Sequence, residues 1–579
     1  MDFERPLGSV IQGSLSQGLE VRLHPDVLVE DMRVGKFLVV QGVRAHFFCM
    51  LTDVLLGTSS ERIMINPPLP TDDFLQSVLA GGSTYGTIEL APMLMLVIAP
   101  EQLPDSFNFN NTNDNQKKLK STQNLASFEA QTSSQIKLMP VKTIPSHFSQ
   151  VFEASVRDFS LVFGREDDPT RRNFAVGKPI DMDVPVCLDL DRFVERSNGI
   201  FGKSGTGKSF LTRLLLSGII RKGAAVNLIF DMHSEYGWEA MAEGKQVNTV
   251  KGLRQLFPDR VELWTLDPES TRRRGVHDAR ELYLSYNQIE VEDIGLVQRE
   301  LNLSEASIDS ANILRSEFGK SWITKLLAMT NEDIQIFCDE KRGHKGSIMS
   351  LQRKLLRLDN LKYMQTKNTN NYIEEILESL DAGKHVIIEF GSQSNMLSYM
   401  LAANMITRRI HNSYVRKADK FLSSKNPSDR PQPLVITIEE AHRFLDPAIV
   451  RSTIFGTIAR EMRKYFVTLL VVDQRPSGID AEVMSQIGTR ITALLNDDKD
   501  IDSIFTGVSG GHSLRSVLAK LDSKQQALVL GHAVPMPVVI QTRAYDQTFY
   551  QEIGDTDWRY VSDNELFEAA QVALDDIGF

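Results

Sequence analysis

Cysteine is scarce in this chain, and the three present, Cys49, Cys187 and Cys338, lie too far apart to form a C-x-x-C pair. That excludes a disulfide framework and a zinc cluster and leaves them as packing residues. Long apolar runs are missing too: the most apolar stretch, residues 91–100, is too short to span a bilayer. The opening Met1-Asp2-Phe3-Glu4-Arg5 has neither the basic nor the apolar region of a secretory signal, so a cytoplasmic protein with no membrane partner is expected. Positive charge is in deficit, with 64 Lys and Arg against 75 Asp and Glu and a net charge of −11. This argues against a surface coated with nucleic acid, whose non-specific affinity comes from Lys and Arg facing phosphates. It leaves room for a basic channel inside an acidic assembly. The apolar fraction of 42% excludes wholesale disorder, and 579 residues exceed what one core holds, so two or three domains are expected.

What the chain has is an octapeptide, Gly202-Lys203-Ser204-Gly205-Thr206-Gly207-Lys208-Ser209, that matches G-x-x-x-x-G-K-[ST] at every required position. It follows the apolar Gly199-Ile200-Phe201, which can end a strand. Phosphates must be wrapped by backbone N–H groups, and glycines let the chain come that close. Lys208 supplies a point charge to the β- and γ-phosphates and Ser209 a hydroxyl to Mg²⁺. A helix starting near Lys208, with Phe210 in its first turn, aims its positive end at the anion. The loop therefore predicts ATP and Mg²⁺ as the bound species.

Short apolar runs at 225–230, 261–266, 386–390, 434–438, 468–472, 491–495 and 527–530 predict strands buried on both faces of a mainly parallel sheet. The first 60 or so residues predict short strands instead, at 20–23, 38–43 and 63–65, as in a small β-barrel. Residues 105–135 turn to Asn, Gln, Ser, Thr and Lys and predict a flexible insertion. Helical periodicity through Ile348, Leu351, Leu355 and Leu358 predicts an α-helical insertion over 278–381. The expected plan is an α/β chain. It has a barrel with its flexible insertion over 1–180, an ATPase core over 181–277 and 382–545 split by the helices, and a C-terminal helical segment over 546–579.

A P-loop needs acids at the end of a neighbouring strand, and Leu434-Val435-Ile436-Thr437-Ile438-Glu439-Glu440 supplies two. Glu439 is expected to hold Mg²⁺ through its water shell, and Glu440 to orient or deprotonate the attacking water. Gln474, emerging after the run 468–472, is the candidate γ-phosphate sensor. A helix expected over 453–465 places Arg460, Arg463 and Lys464 on one face, which either meets solvent or reaches a neighbouring subunit's nucleotide. Two basic clusters, Arg272-Arg273-Arg274-Gly275 and Lys341-Arg342-Gly343-His344-Lys345-Gly346, are candidates for a DNA path. Near the C-terminus, Ser562-Asp563-Asn564-Glu565 reads as a capping box before a short helix.

The P-loop, Asp231-Met232-His233-Ser234-Glu235-Tyr236, Glu439-Glu440-Ala441-His442, Ala459-Arg460-Glu461-Met462-Arg463-Lys464-Tyr465, Gln474-Arg475-Pro476 and Ser485-Gln486-Ile487-Gly488-Thr489-Arg490 follow one another in this order. Over roughly 176–543 the chain resembles the HerA-like ATPases. The resemblance implies a RecA-like core behind an N-terminal barrel, and a homo-hexamer of the FtsK and RecA-like class that translocates double-stranded DNA. It implies a nuclease partner, NurA-like, and relatives pair with effector enzymes in anti-phage defence. A scaffold ring that activates a nuclease or NAD-consuming effector needs the same ATP site. The resemblance also prefers Arg463 as the trans-acting finger, makes Asp231 a second acid near the nucleotide and docks the C-terminal helix on an adjacent protomer. Asp473 departs from the small hydroxyl residue that relatives often carry there.

Overall fold

Residues 37–40 and 47–51 are apolar at every position, a pattern that suits strands covered on both faces. The computed structural model, which describes residues 5–58, 84–98, 136–180, 182–241, 249–341, 343–366, 371–461, 464–508, 511–519, 521 and 525–554, shows both covers. In β3 (Phe37–Gln41) and β4 (Ala45–Thr58), the side chains of Leu38, Val40, Phe47, Cys49 and Leu51 fill a small interior. Their neighbours Phe37, Val39, Phe48 and Met50 point the other way, into the main core of the protein. The edge of Phe159, on the helix Val156–Phe163, meets Phe37 at 5.6 Å between ring centroids and Phe48 at 6.5 Å.

The small interior belongs to an antiparallel barrel completed by β1 (Gly8–Ser14), β2 (Gly18–Leu23), β5 (Thr84–Ile98), β6 (Ile136–Pro140) and β7 (Gln150–Glu153). The order β2-β1-β7-β3-β4-β5 closes on itself because β2 also pairs with β5. Along β5, residues 87–90 pair with β2 and residues 94–98 with β6. Pro92, which has no N–H to give a ladder, stands where the partner changes. The stretches expected as a strand at 63–65 and as a flexible insertion at 105–135 lie outside the described residues, as do Arg342, Arg463 and the C-terminal segment from residue 555.

Among the described residues the main core is a sheet of 12 strands. Its members are β8 (Asn173–Lys178), β9 (Val186–Asp189), β10 (Asn198–Phe201), β11 (Val226–Asp231), β14 (Val261–Thr265), β15 (Arg280–Glu281), β18 (His385–Glu389), β19 (Leu434–Glu439), β20 (Val467–Asp473), β21 (Thr489–Thr492), β22 (Gln526–Gly531) and β23 (Val538–Thr542). Two small pairs stand apart from it, β12 (Ala240–Met241) with β13 (Thr249–Val250), and β16 (Leu284–Ser285) with β17 (Met364–Gln365). The order is β15-β14-β18-β11-β19-β20-β10-β21-β22-β23-β8-β9, parallel from β15 to β21 and antiparallel beyond. Every apolar run expected as a strand forms one, although β21 lies two residues before the run at 491–495. The large sheet also begins earlier than the expected boundary at residue 180. β8 pairs with β23, Gly177 opposite Thr542, and so ties the chain before the P-loop to its far end.

Between β15 and β18 the chain is mainly helical, and Ile348, Leu351, Leu355 and Leu358 are all fully buried, as their spacing requires. Asp293 joins this helical part to the long helix Met396–Ser424, accepting from Arg408 at 2.6 Å and from Asn404 at 2.8 Å. Among the described residues no helix is long and apolar enough to cross a membrane.

Candidate nucleotide site

In a parallel sheet the strand ends that follow one another across the C-terminal edge form a ligand crevice. Here β10, β11, β18, β19 and β20 end side by side, and a cleft of about 450 Å³ opens above them. One wall is the P-loop. Gly205 (φ 78°) and Gly207 (φ 88°) take left-handed backbone that a side chain would strain. Gly207 then starts the helix Lys208–Lys222 with no side-chain cap, which leaves its first N–H groups for a ligand. Ser204, Gly205, Gly207, Lys208, Ser209 and Phe210 face the cleft. Gly202, Lys203 and Thr206 stand behind them and hold the loop: the carbonyl of Lys203 accepts from Thr206 Oγ1 at 2.8 Å and from Lys208 Nζ at 3.0 Å. A Cβ on Gly202 would come within 2.7 Å of Thr206 Oγ1, so the tight packing of this base demands glycine.

The opposite wall carries Glu439, Glu440, Asp473 and Gln474. Glu439 ends β19, and its Oε1 accepts from the Tyr236 hydroxyl at 2.7 Å. Its Oε2 is buried and has no hydrogen-bond partner among the described residues. Burial, with Asp231 nearby, pushes the Glu439 carboxyl up to about 8. A buried carboxylate oxygen with no donor matches a cation or its water shell, so the residues present fit Mg²⁺ between Ser209 and Glu439.

Glu440 follows with left-handed backbone, φ 48° and ψ 44°, a strained conformation for a residue with a side chain. The strain turns Glu440 away from Glu439 and toward Gln474, whose amide donates to Oε1 of Glu440 at 3.2 Å. Asp473 fixes this corner. Its carboxylate accepts from the backbone N–H of His442 and of Arg475, both at 2.6 Å, and lies 3.0 Å from His442 Nδ1. The hydrogen bond to Asp473 raises the pKa of His442. The residue that departs from the family pattern thus braces the turn carrying Glu440.

Asp231 does not face the cleft. It is fully buried at the end of β11 and accepts from the backbone N–H groups of Glu235, Tyr236 and Gly237 at 2.7, 2.8 and 3.1 Å. Both of its oxygens are committed to this loop. Glu235 takes the place at the cleft. Arg274, expected on a DNA path, also lines the cleft and bridges the buried Glu389 at the end of β18. Arg272 bridges Glu281 at 2.6 Å, Arg273 Nε donates to the Glu269 carbonyl at 3.3 Å and Lys341 bridges Glu317 at 2.7 Å, so these cations of the two basic clusters already have protein partners.

The basic helix expected over 453–465 is shorter, Ile454–Glu461. Lys464 stands in a turn that ends at Phe466, whose φ of 60° redirects the chain into β20. Arg460 lies 3.4 Å from Glu482. Arg274 is expected from the sequence on a DNA path and instead lines this cleft, while Glu389 belongs to no sequence motif. Glu235 lies in the motif that follows β11, and its position depends on the fold of the loop around Asp231.

The sequence profile of the HerA helicase central domain matches residues 174–410, and that of the HAS-barrel domain matches residues 7–101. The DNA double-strand break repair helicase HerA of Sulfolobus acidocaldarius is 24% identical over 405 residues, 68% of this chain and 72% of that protein. The protein of the same name from Saccharolobus solfataricus is 25% identical over 398 residues, 67% of this chain and 73% of its own. Among solved structures, the bacterial conjugative coupling protein TrwBdeltaN70 in complex with sulphate covers 62% of this chain and 88% of its own, at 12% identity and a TM-score of 0.42.

Proposed function

We propose that this chain, a HAS barrel joined to a HerA central domain and so a HerA-like P-loop ATPase, couples ATP hydrolysis to the movement of double-stranded DNA as a homo-hexamer. The observation that carries the catalytic part is Glu440, held by Gln474 across a cleft from Lys208. In this reading the P-loop N–H groups and Lys208 hold the β- and γ-phosphates. Glu440 takes the proton of the attacking water, and Gln474 links that carboxylate to the phosphate it serves. Mg²⁺, held by Ser209 and Glu439, neutralises phosphate charge when bound. Arg463 reaches a neighbouring protomer's nucleotide and stabilises the transferring phosphoryl group, as an arginine finger does.

The DNA part is carried over from relatives named as DNA double-strand break repair helicases, which match 68% and 67% of this chain. A nuclease or defence effector riding on the ring completes the proposal. The test is ATP turnover with and without linear duplex DNA, together with displacement of streptavidin from a biotinylated duplex end. DNA-stimulated turnover and ATP-dependent displacement, both absent in Lys208→Ala, are expected. Turnover indifferent to DNA, with no displacement, rejects translocation and favours a scaffold ring.

A further inference from the structure

The loop that follows β11 is built to present one side chain. Asp231 gathers three backbone N–H groups, and Arg213 Nε donates to the carbonyl of Glu235 at 2.7 Å. Ser234 takes left-handed backbone at φ 57°. Tyr236, next in sequence, is bonded through its hydroxyl to Glu439. Each of these contacts fixes the backbone on either side of Glu235 and leaves its carboxylate at the cleft, with Ser209 and Glu439 among the other lining residues.

That carboxylate shares a peculiarity with Glu439. Glu235 Oε2 is buried and has no hydrogen-bond partner among the described residues, as is true of Glu439 Oε2. Two acids with unpartnered buried oxygens in one cleft repel each other and lack the donors that buried carboxylates normally find. A hydrated divalent cation meets both needs, because its charge offsets theirs and its water molecules donate to both. Magnesium keeps several waters when it binds a nucleotide, so carboxylates can hold it without direct ligation.

We infer that Glu235 is a second magnesium-holding carboxylate, acting with Glu439 on the water shell of the ion whose direct protein ligand is Ser209. This rests on the nucleotide-site reading above and not on the DNA reading.

The test is equilibrium binding of a fluorescent, slowly hydrolysed ATP analogue to the full chain, titrated with Mg²⁺ and repeated in EDTA. Outer residues that orient a metal's ligands contribute about 10- to 100-fold in metal affinity. Glu235→Gln should therefore raise the Mg²⁺ concentration for half-maximal binding by about 10-fold. Binding in EDTA should stay the same or tighten, since a negative charge facing phosphate is gone. Glu235→Asp, which keeps the charge, should stay nearer the wild-type midpoint. An unchanged Mg²⁺ midpoint in Glu235→Gln overturns the inference, and so does an equal loss of binding with and without metal, which marks a role in loop structure alone. The wild-type curve reports on the nucleotide site and the difference between curves on Glu235, so the two claims fail separately.

Discussion

The amide of Gln474 donates to Oε1 of Glu440 at 3.2 Å, which joins the end of β20 to the end of β19 directly over the sheet. Each residue holds the other at the cleft, at the place the proposed function gives to the γ-phosphate and its attacking water. Glu440→Gln keeps the size of the side chain but removes the base, so ATP should bind and stay uncleaved. A general base contributes about 10²- to 10⁴-fold, and kcat should fall within that range. Binding and single-turnover measurements check it: loss of ATP affinity in step with loss of kcat counts against Glu440 as base.

Lys208→Ala should behave differently. It removes the charge facing the phosphates and the bond from Nζ to the Lys203 carbonyl, which ties the loop to itself. Nucleotide affinity and turnover should therefore both collapse. Titration with a fluorescent nucleotide distinguishes the two variants, and identical binding by both would show that the walls of the cleft have been assigned the wrong roles.

Arg463→Ala should retain ATP binding and ring assembly while losing turnover, because a trans finger acts on transition-state charge. Doping variant subunits into wild-type rings reads this out. Activity that falls only in proportion to the variant fraction removes Arg463 from the interface.

Glu389 gives the folded chain a pH dependence. Burial and the neighbouring Asp231 push its carboxyl up to about 7, against an ordinary 4.5, despite the bridge to Arg274. Between those values the folded chain holds a proton that the unfolded chain has released, so this group's contribution to stability falls as pH rises from 4.5 through 7. Glu389→Gln, an isostere of the protonated acid, should flatten the fall of Tm across that window. Parallel Tm profiles for variant and wild type would show that Glu389 does not titrate there.

Much of the core was legible because its strands are covered on both faces, which leaves runs such as Leu434-Val435-Ile436-Thr437-Ile438 with no polar face to confuse the pattern. β21 was displaced by two residues for a physical reason. It contains Arg490, which reads as a surface residue, yet here the guanidinium is buried and bonded to the carbonyls of Met484, Ile504 and Thr506. In the site, the P-loop, Glu439, Glu440 and Gln474 come together because each sits at or just past a strand end. Asp231 does too, but whether such an acid faces a ligand or its own loop depends on the fold of the next six residues, where Ser234 turns left-handed. No spacing rule foretells that turn, and so Glu235 stayed hidden behind Asp231.

The barrel strands β3 and β4 give one face to their own interior and the other, through Phe37, Val39, Phe48 and Met50, to the core that also surrounds the P-loop helix. Among the described residues the two parts share this apolar core. In the proposed assembly, a cargo enzyme gripped by the barrel would be bolted to the ATPase core and share its every tilt. In that proposed assembly, play between motor and cargo would come from the cargo's own grip, and a cut between barrel and sheet would expose Phe37, Val39, Phe48 and Met50 as a greasy seam.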